Sequence, residues 1–359
     1  MYFSKIKIQN FRNFENLSLN PSPKINAIIG MNGTGKSSLV EALSYLCKGK
    51  SFRTNHHESA IRNNEDCFFL FGEKEPSISV GISRSRRSDL IIKIDGNSDC
   101  KLSDLAALTP AQIIHPGDAN ILSLGGPKSR RAMLDWGAFY HKKDFYSIWQ
   151  NFSKILKQRN AYLRKGCRYE YLKYIDTEFV RYAEVIKSLR AEYLNELLPM
   201  MTEIVDSFLP EYGISFEIYH GWDKRKELSE IMRENYDRDK IIQHTGYGPQ
   251  RADLKIKSNG FLVQDLLSRG QQKMLITAIK LAQGLFLEKI FRKNCIFIID
   301  DFASELDNRK RDIFSNYLLN IKGQIFVTAI DKDLVKNIKL NDNCAFFELK
   351  DNSIIKESK

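Results

Sequence analysis

Residues 30–37 read G-M-N-G-T-G-K-S, matching the phosphate-loop pattern G-x-x-x-x-G-K-[ST] at every fixed position. The apolar run Ile25 to Ile29 ends on the first glycine, and helical spacing begins at Lys36 with Leu39, Leu43 and Leu46. A strand, a glycine loop and a helix N-terminus in that order aim successive N–H groups and the positive helix end at one anion. Gly30, Gly33 and Gly35 let the backbone curl, Lys36 neutralises phosphate charge, and Ser37 offers a hydroxyl to Mg²⁺. The stretch Gly30, Met31, Asn32, Gly33, Thr34, Gly35, Lys36, Ser37 and Ser38 is therefore the expected cradle for a nucleoside triphosphate with Mg²⁺. A glycine-rich turn with a chance lysine explains this context poorly.

Such a loop requires an acidic partner on another strand, and Ile296-Phe297-Ile298-Ile299-Asp300-Asp301 supplies one. The run from Cys295 to Ile299 reads as a buried parallel strand. Asp300 is placed to hold the Mg²⁺ shell and Asp301 to polarise an attacking water. Alone, the run would serve equally well as a lead into a helix N-cap; its pairing with the glycine loop favours chemistry. At residues 267–273, L-S-R-G-Q-Q-K places Ser268 three residues before Gln271 in a capping-box spacing, so that Arg269 and Gly270 face an anion. An ordinary well-capped helix accounts for that segment locally just as well.

Alternating apolar residues between 4 and 29 read as short strands, and Ile78, Val80, Ile82 with Leu90, Ile92, Ile94 as an antiparallel pair followed by an Asp95-Gly96 turn. From about 129 to 208 the spacing is helical, interrupted at Lys165-Gly166. Leu172, Ile175, Phe179, Tyr182, Ile186, Leu189 and Tyr193 form one seam, predicting a helix over 170–198 that stops at Pro199. At 1.5 Å per residue that helix would be roughly 43 Å long, an arm rather than a rod. After about 245 strands return, with Leu254 and Ile256 before an Asn259-Gly260 turn and another run at Ile325 to Thr328. The expected fold is α/β: a P-loop domain, with a mixed sheet and an antiparallel β layer, split in sequence by a helical arm. Its segments are 1–113, 114–244 and 245–359.

The 359 residues carry 55 Lys+Arg against 44 Asp+Glu, a net charge of +11, with 43% hydrophobic residues, which excludes a disordered chain. Residues 128–168 hold 11 basic and 2 acidic residues, so +9 of the excess is local. Tyr140, Trp149 and Tyr162 interleave with those charges. A solvated helix face mixes both signs, so the block is expected to bind a polyanion, through Lys128, Arg130, Arg131, Lys142 and Lys143 among others. The six cysteines form no CxxC pair, and no stretch has the roughly 18 apolar residues of a membrane span. The expectation is a soluble, cytoplasmic protein.

The segment L-S-R-G-Q resembles the signature motif of ABC-type ATPases, and Ser304-Glu305-Leu306-Asp307 resembles their D-loop. In that superfamily the signature helix of one subunit completes the nucleotide site of another. The resemblance therefore implies an ATP-dependent homodimer, with Ser268, Arg269, Gly270, Gln271 and Asp307 contacting nucleotide and Gln112 as the Q-loop glutamine, catalytic and metal-facing. More narrowly, I-K-I-Q-N-F-R-N-F at the start, G-K-S-F-R-T at 49–54, G-G-P-K-S-R-R-A-M-L-D-W at 125–136, Q-R-N at 158–160 and G-P-Q-R-A-D-L at 248–254 resemble the RecF family of bacterial recombination mediators. That resemblance covers essentially the whole chain. It implies that Asn10, Arg12 and Asn13 line the adenine side of the pocket. It also implies a weak, DNA-stimulated ATPase that binds single-stranded, gapped or junction DNA with a RecR-type partner, in DNA damage repair, recombination, replication restart and SOS induction.

Three positions depart from that pattern: Gln250 where His is expected, Asp301 where transporters carry Glu, and T-A-I-D at 328–331 without a switch histidine, so no catalytic histidine is assigned. Rad50 and SMC proteins share the head but need hundreds of heptad residues. A transporter nucleotide-binding subunit is the alternative reading, yet it leaves the +9 block idle. A small P-loop kinase needs neither the signature nor the D-loop.

Overall fold

The computed structural model describes residues 2–87, 89–301, 307–331 and 344–358. The chain clusters into two compact units, residues 1–118 with 273–359, and residues 119–272.

In the first unit six strands form a mixed sheet: β3 (Ile25–Ile29), β7 (Ala111–Ile114), β11 (Ile296–Ile299), β12 (Ile325–Ala329), β13 (Cys344–Lys350) and β14 (Ser353–Ser358). Their order is β14-β13-β3-β12-β11-β7, with only the β13–β14 pair antiparallel. Every residue of β3, β7, β11 and β12 is buried. Burial on both faces is why these strands read as apolar runs rather than alternations. A second, antiparallel sheet has the order β2-β1-β4-β5-β6, from β1 (Phe3–Phe11), β2 (Phe14–Leu19), β4 (Cys67–Lys74), β5 (Ile78–Ser85) and β6 (Ile91–Ile94). Here burial alternates along the strands, as in β4, because one face only meets the core. The helix Lys36–Lys48 is buried from Ser38 to Cys47. Tyr45 on it meets Phe11 and Phe68 edge-on, with ring centroids 5.7 and 5.2 Å away, a geometry worth about 0.5–1.5 kcal/mol per pair beyond area burial.

The second unit holds helices Gly126–His141, Phe145–Arg164, Tyr169–Phe208, Leu228–Glu234 and Tyr236–Ile242. It also holds a three-stranded sheet of order β10-β9-β8, from β8 (Ile214–Tyr219), β9 (Asp253–Ser258) and β10 (Phe261–Leu262). Helices Phe145–Arg164 and Tyr169–Phe208 are joined through Lys165 and Gly166, whose φ of 67° suits the turn. The seam is buried at Leu172, Phe179, Ile186 and Tyr193. Gly137 lets the helix Gly126–His141 cross the long helix closely: a Cβ there would lie 1.8 Å from Cζ of Tyr193.

Two sequence expectations change. The long helix does not stop at Pro199 but runs on to Phe208, 40 residues in all. A mid-helix proline costs about 3 kcal/mol. Pro199 is exposed while Leu197, Met201, Ile204, Val205 and Phe208 are buried, and burying side chains of that kind at ~1.5–3 kcal/mol each outweighs it. Residues 245–272, expected with the head, cluster with residues 119–244 instead. The cause is strand pairing, since β9 aligns with β8 from Ile214↔Ser258 to Tyr219↔Asp253.

Candidate functional site

At the carboxyl end of β3 and β11 lies a pocket of about 820 Å³, within the size range of small-molecule sites. Asn32, Gly33, Gly35, Lys36, Ser37 and Ser38 line it, together with Arg12, Asn13, Asp300 and Asp301. Gly35 has φ 103°, and a Cβ there would meet Asn13 Nδ2 at 2.7 Å and Phe14 Cζ at 2.9 Å. Only glycine fits that turn. The Lys36 ammonium donates to the loop carbonyls of Gly30 at 2.6 Å and Met31 at 2.9 Å, so its charge sits where the loop curls. Burial pulls the Lys36 pKa below its usual value, opposed by the Asp300 and Asp301 charges. Gly30, Met31 and Thr34 do not line the pocket; Thr34 Oγ1 donates to Met31 O at 2.8 Å and closes the turn from behind.

The Ser37 hydroxyl donates to Asp300 Oδ1 at 3.2 Å, and Thr328 Oγ1 donates to the same oxygen at 2.9 Å. The Asp301 N–H donates in turn to Thr328 Oγ1 at 2.8 Å. Asp301 has φ 59°, a left-handed conformation that costs a non-glycine residue energy, and this hydrogen bond holds it there. Burial raises the Asp300 pKa, with the Thr328 and Ser37 hydroxyls pulling the other way. One hydroxyl and one carboxylate, adjacent and facing a phosphate loop, are a donor set that suits Mg²⁺, which keeps several waters and takes its other ligands from phosphates. Among the described residues no group of three His, Cys, Asp or Glu forms an all-protein metal cage.

Arg12 forks onto Glu41, Nε to Oε2 at 2.9 Å and Nη2 to Oε1 at 2.7 Å. Glu41 is fully buried and also accepts from Ser51 Oγ at 2.5 Å and Arg53 at 3.4 Å. This carboxylate therefore positions Arg12 and Arg53 at the pocket wall. Glu41 gave no sequence signal, because it lies inside the helix of the phosphate loop and looks like any surface acid there. Thr328 was noted in sequence as the end of a strand run and for the histidine its segment lacks, yet it is the hydroxyl that couples the two aspartates.

Several expected residues stand elsewhere. Gln112 lies within β7, opposite Phe297, is buried, and donates to Gln283 Oε1 at 3.2 Å. It is absent from the pocket lining, and its strand ends two residues later, at Ile114. The residue that follows β7, His115, stacks on Phe52 at 4.8 Å and places Nε2 3.2 Å from the buried Asp118, which Lys280 clamps at 2.6 and 2.7 Å. Asn10 turns its amide to Glu65 Oε2 at 2.9 Å and does not line the pocket. Asp307 N-caps helix Asn308–Asn320, accepting from the Lys310 N–H at 2.8 Å. Ser304, Glu305 and Leu306 lie outside the described residues.

In the second unit, the Ser268 N–H donates to Gln271 Oε1 at 2.9 Å while the return bond, Gln271 N–H to Ser268 Oγ, is long at 3.4 Å. Helix Arg269–Phe291 thus starts with the expected reciprocal cap, and Ser268 and Arg269 are exposed. The basic block divides into two kinds of residue. Arg130 forks onto Asp253 at 2.8 Å through both Nε and Nη2, and Arg131 donates to Ala252 O at 2.6 Å. Arg190 likewise holds Asp135 at 2.7 Å and Pro249 O at 2.9 Å. The segments R-R-A-M-L-D and G-P-Q-R-A-D-L are therefore halves of one clasp, and Arg130 and Arg131 are spent inside the fold rather than free for a polyanion. Gln250 belongs to this clasp, donating to Tyr247 O at 2.7 Å. Arg159 is fully buried between Asp176 and Asp239, at 2.7 Å from each. Lys142 pairs loosely with Glu192 at 3.3 Å. Lys128, Lys143, Lys154, Lys157, Arg164, Lys165 and Arg168 are exposed.

The family model described as RecF/RecN/SMC N terminal domain matches residues 2–354. The DNA replication and repair protein RecF of Actinobacillus pleuropneumoniae serotype 5b is 42% identical over 346 residues, 96% of either chain. That of Salmonella typhi is 38% identical over 357 residues, 99% of either chain. Among solved structures, one described as the recombination mediator protein RecF-ATP in the RecFOR pathway superimposes with TM-score 0.83 at 26% identity, covering 100% of this chain and 98% of that one. An Smc head domain from Pyrococcus furiosus aligns with TM-score 0.60 at 15% identity, a likeness of fold. The phosphate loop, the coupled aspartates, and this breadth of similarity together place the chain in the RecF family, within the wider RecF/RecN/SMC N-terminal domain family.

Proposed function

We propose that this chain is an ATP-dependent DNA-binding switch that acts as a RecF-type recombination mediator in DNA replication and repair. The observation that carries the reading is the pocket itself: phosphate loop, Lys36, Ser37–Asp300–Thr328 and the Arg12–Glu41 fork converge on one site. Backbone N–H groups and Lys36 hold the phosphates, and Asn13 with Arg12 borders the same site. Bound Mg²⁺ would be held by Ser37 and Asp300 and would neutralise charge on the phosphate oxygens. Asp301, fixed by its N–H bond to Thr328, orients the attacking water. Hydrolysis is slow and DNA-stimulated, because the site is completed only when the Ser268–Gln271 segment of a second copy reaches it. ATP therefore drives homodimerisation.

The DNA surface is the exposed part of the basic block, Lys128 and Lys143 with the free lysines and arginines of the arm, and not Arg130 or Arg131. The ligand is single-stranded, gapped or junction DNA, joined by a RecR-type partner in recombinational gap repair, replication restart and SOS induction in the cytoplasm. No described helix is long and apolar enough to cross a membrane. Sedimentation with ATP and a gapped duplex tests the reading: wild type should dimerise on ATP, whereas Ser268→Arg should stay monomeric while still binding nucleotide. Normal ATP-driven dimerisation of Ser268→Arg would remove the argument. Lys128→Glu with Lys143→Glu should reduce the salt slope of DNA binding by about 1 to 2 charges, and an unchanged slope would exclude those residues.

A further inference from the structure

Strand β4 is the middle strand of the antiparallel sheet, with β1 and β5 as its neighbours. Phe68 and Leu70 on it are buried in the core, so Phe69 and Phe71 stand on the opposite, outer face. Phe69 is 47% exposed and Phe71 is half-buried. Strand register names their surroundings, because residues paired directly in a ladder share a face. Gln9 and Ser83 stand opposite Phe69, and Lys7 and Gly81 opposite Phe71. Beyond Ser83 and Gly81, strand β6 adds Ile91, which is 45% exposed, and Lys93. Neither ring has an apolar side chain directly opposite it, so cross-strand packing does not account for two phenylalanines at this surface. Space beside Phe71 is open: a Cβ on Gly81 would meet only Lys93 Cβ, at 3.7 Å, among the described residues. Lys7 and Lys93 are exposed, and no ion pair holds either of them among the described residues.

We propose that this sheet face is a stacking platform for the bases of single-stranded DNA, with Phe69 and Phe71 as the rings and Lys7 and Lys93 as phosphate contacts. The proposal rests on the DNA-binding reading above but uses none of the residues assigned there. An aromatic ring stacks on any base, and flanking cations follow the backbone. Ring spacing selects the form of the strand. Alternate residues of a β-strand are about 6.8 Å apart, whereas successive bases in a duplex are about 3.4 Å apart. The two rings therefore suit bases splayed from an extended single strand, as on other sheets that stack nucleotides. A duplex keeps its base faces against one another and offers these rings only its backbone. An apolar protein surface would cover the rings but desolvate two ammonium groups that have no counter-charge.

The test uses the full chain with ATP, an oligo-dT strand, an abasic strand of equal length that keeps every phosphate, and a duplex. Phe69→Ala with Phe71→Ala should lower dT affinity by about tenfold or more and leave abasic-strand, duplex and nucleotide binding unchanged. Phe69→Tyr with Phe71→Tyr should keep wild-type dT affinity, since the rings remain. Lys7→Ala with Lys93→Ala should lower the salt slope of dT binding by about 1 to 2 charges. Photocrosslinks from iododeoxyuridine placed in the dT strand should fall on Phe69 or Phe71. Binding of dT that is indifferent to loss of both rings, or crosslinks confined to the basic block, would overturn the platform and leave the DNA reading standing. Failure to bind any DNA would overturn both. Unchanged dT binding with loss of a wild-type self-association in the alanine variant would also overturn it, making the face a contact between proteins.

Discussion

Arg159→Met separates the two roles that basic residues play in this chain. Arg159 is fully buried and joins Asp176 and Asp239 at 2.7 Å each, with Nη1 also donating to Thr245 Oγ1 at 3.0 Å. Methionine fills similar space but strands two carboxylates, which are 8% and 1% exposed as side chains. Removing one member of a buried ion pair costs about 3–5 kcal/mol, and here both partners lose their counter-charge, so the loss should reach the upper part of that range. Urea unfolding followed by tryptophan fluorescence reads this cleanly, because all three tryptophans, Trp136, Trp149 and Trp222, lie in the unit of residues 119–272. The midpoint should fall by about 2 M for a slope near 2 kcal/mol/M. Adding Asp176→Asn and Asp239→Asn should recover more than half of the loss. Below the new midpoint, the salt slope of DNA binding should match wild type. A midpoint within about 0.5 M of wild type, or a slope lower by one charge, would show that Arg159 serves a ligand and not the fold.

Pro199→Ala should raise the stability of the same unit by about 1–3 kcal/mol, read by the same fluorescence, because the helix already runs through that position and would regain a hydrogen bond. Arg130→Ala should destabilise by about 2–3 kcal/mol through loss of its fork on Asp253 and leave the salt slope of DNA binding unchanged. His115 gives a pH dependence. Its Nδ1 accepts the Gly117 N–H at 3.1 Å, and burial holds its pKa down to about 4, against 6.5 for the free ring, with Asp118 opposing that shift. A depressed folded-state pKa means the unfolded chain takes up the proton first, so stability present above pH 6.5 is lost as pH falls towards 4. The full effect is at most about 3 kcal/mol. Circular dichroism melts from pH 7 to 4 should show a shallower decline in His115→Gln; an identical decline would assign the loss to other groups.

Where one local rule dominates, sequence alone was enough. A parallel strand buried on both faces must be apolar, a loop that wraps phosphate must be glycine at its tight turns, and a helix starting after Ser268 must cap its first donors. The phosphate loop, the Asp300–Asp301 strand end and the capped start of helix Arg269–Phe291 were therefore readable as written. Charge counting also located the basic block, but not what each charge does. Arg130, Arg131 and Arg159 look the same in sequence as Lys128 and Lys143; their partners Asp253, Ala252, Asp176 and Asp239 come from segments up to 123 residues away, and only folding brings them together. The position of Gln112 opposite Phe297 within β7 was equally illegible, since a strand's register against its neighbours decides whether a residue reaches the sheet end. Glu41 and Thr328 stayed invisible because a carboxylate within a helix and a hydroxyl within a strand acquire a role only from what packs against them. Sequence determined the chemistry that backbone geometry enforces within a few residues, whereas tertiary structure decided which side chains were consumed in holding the molecule together and which remained to meet a ligand.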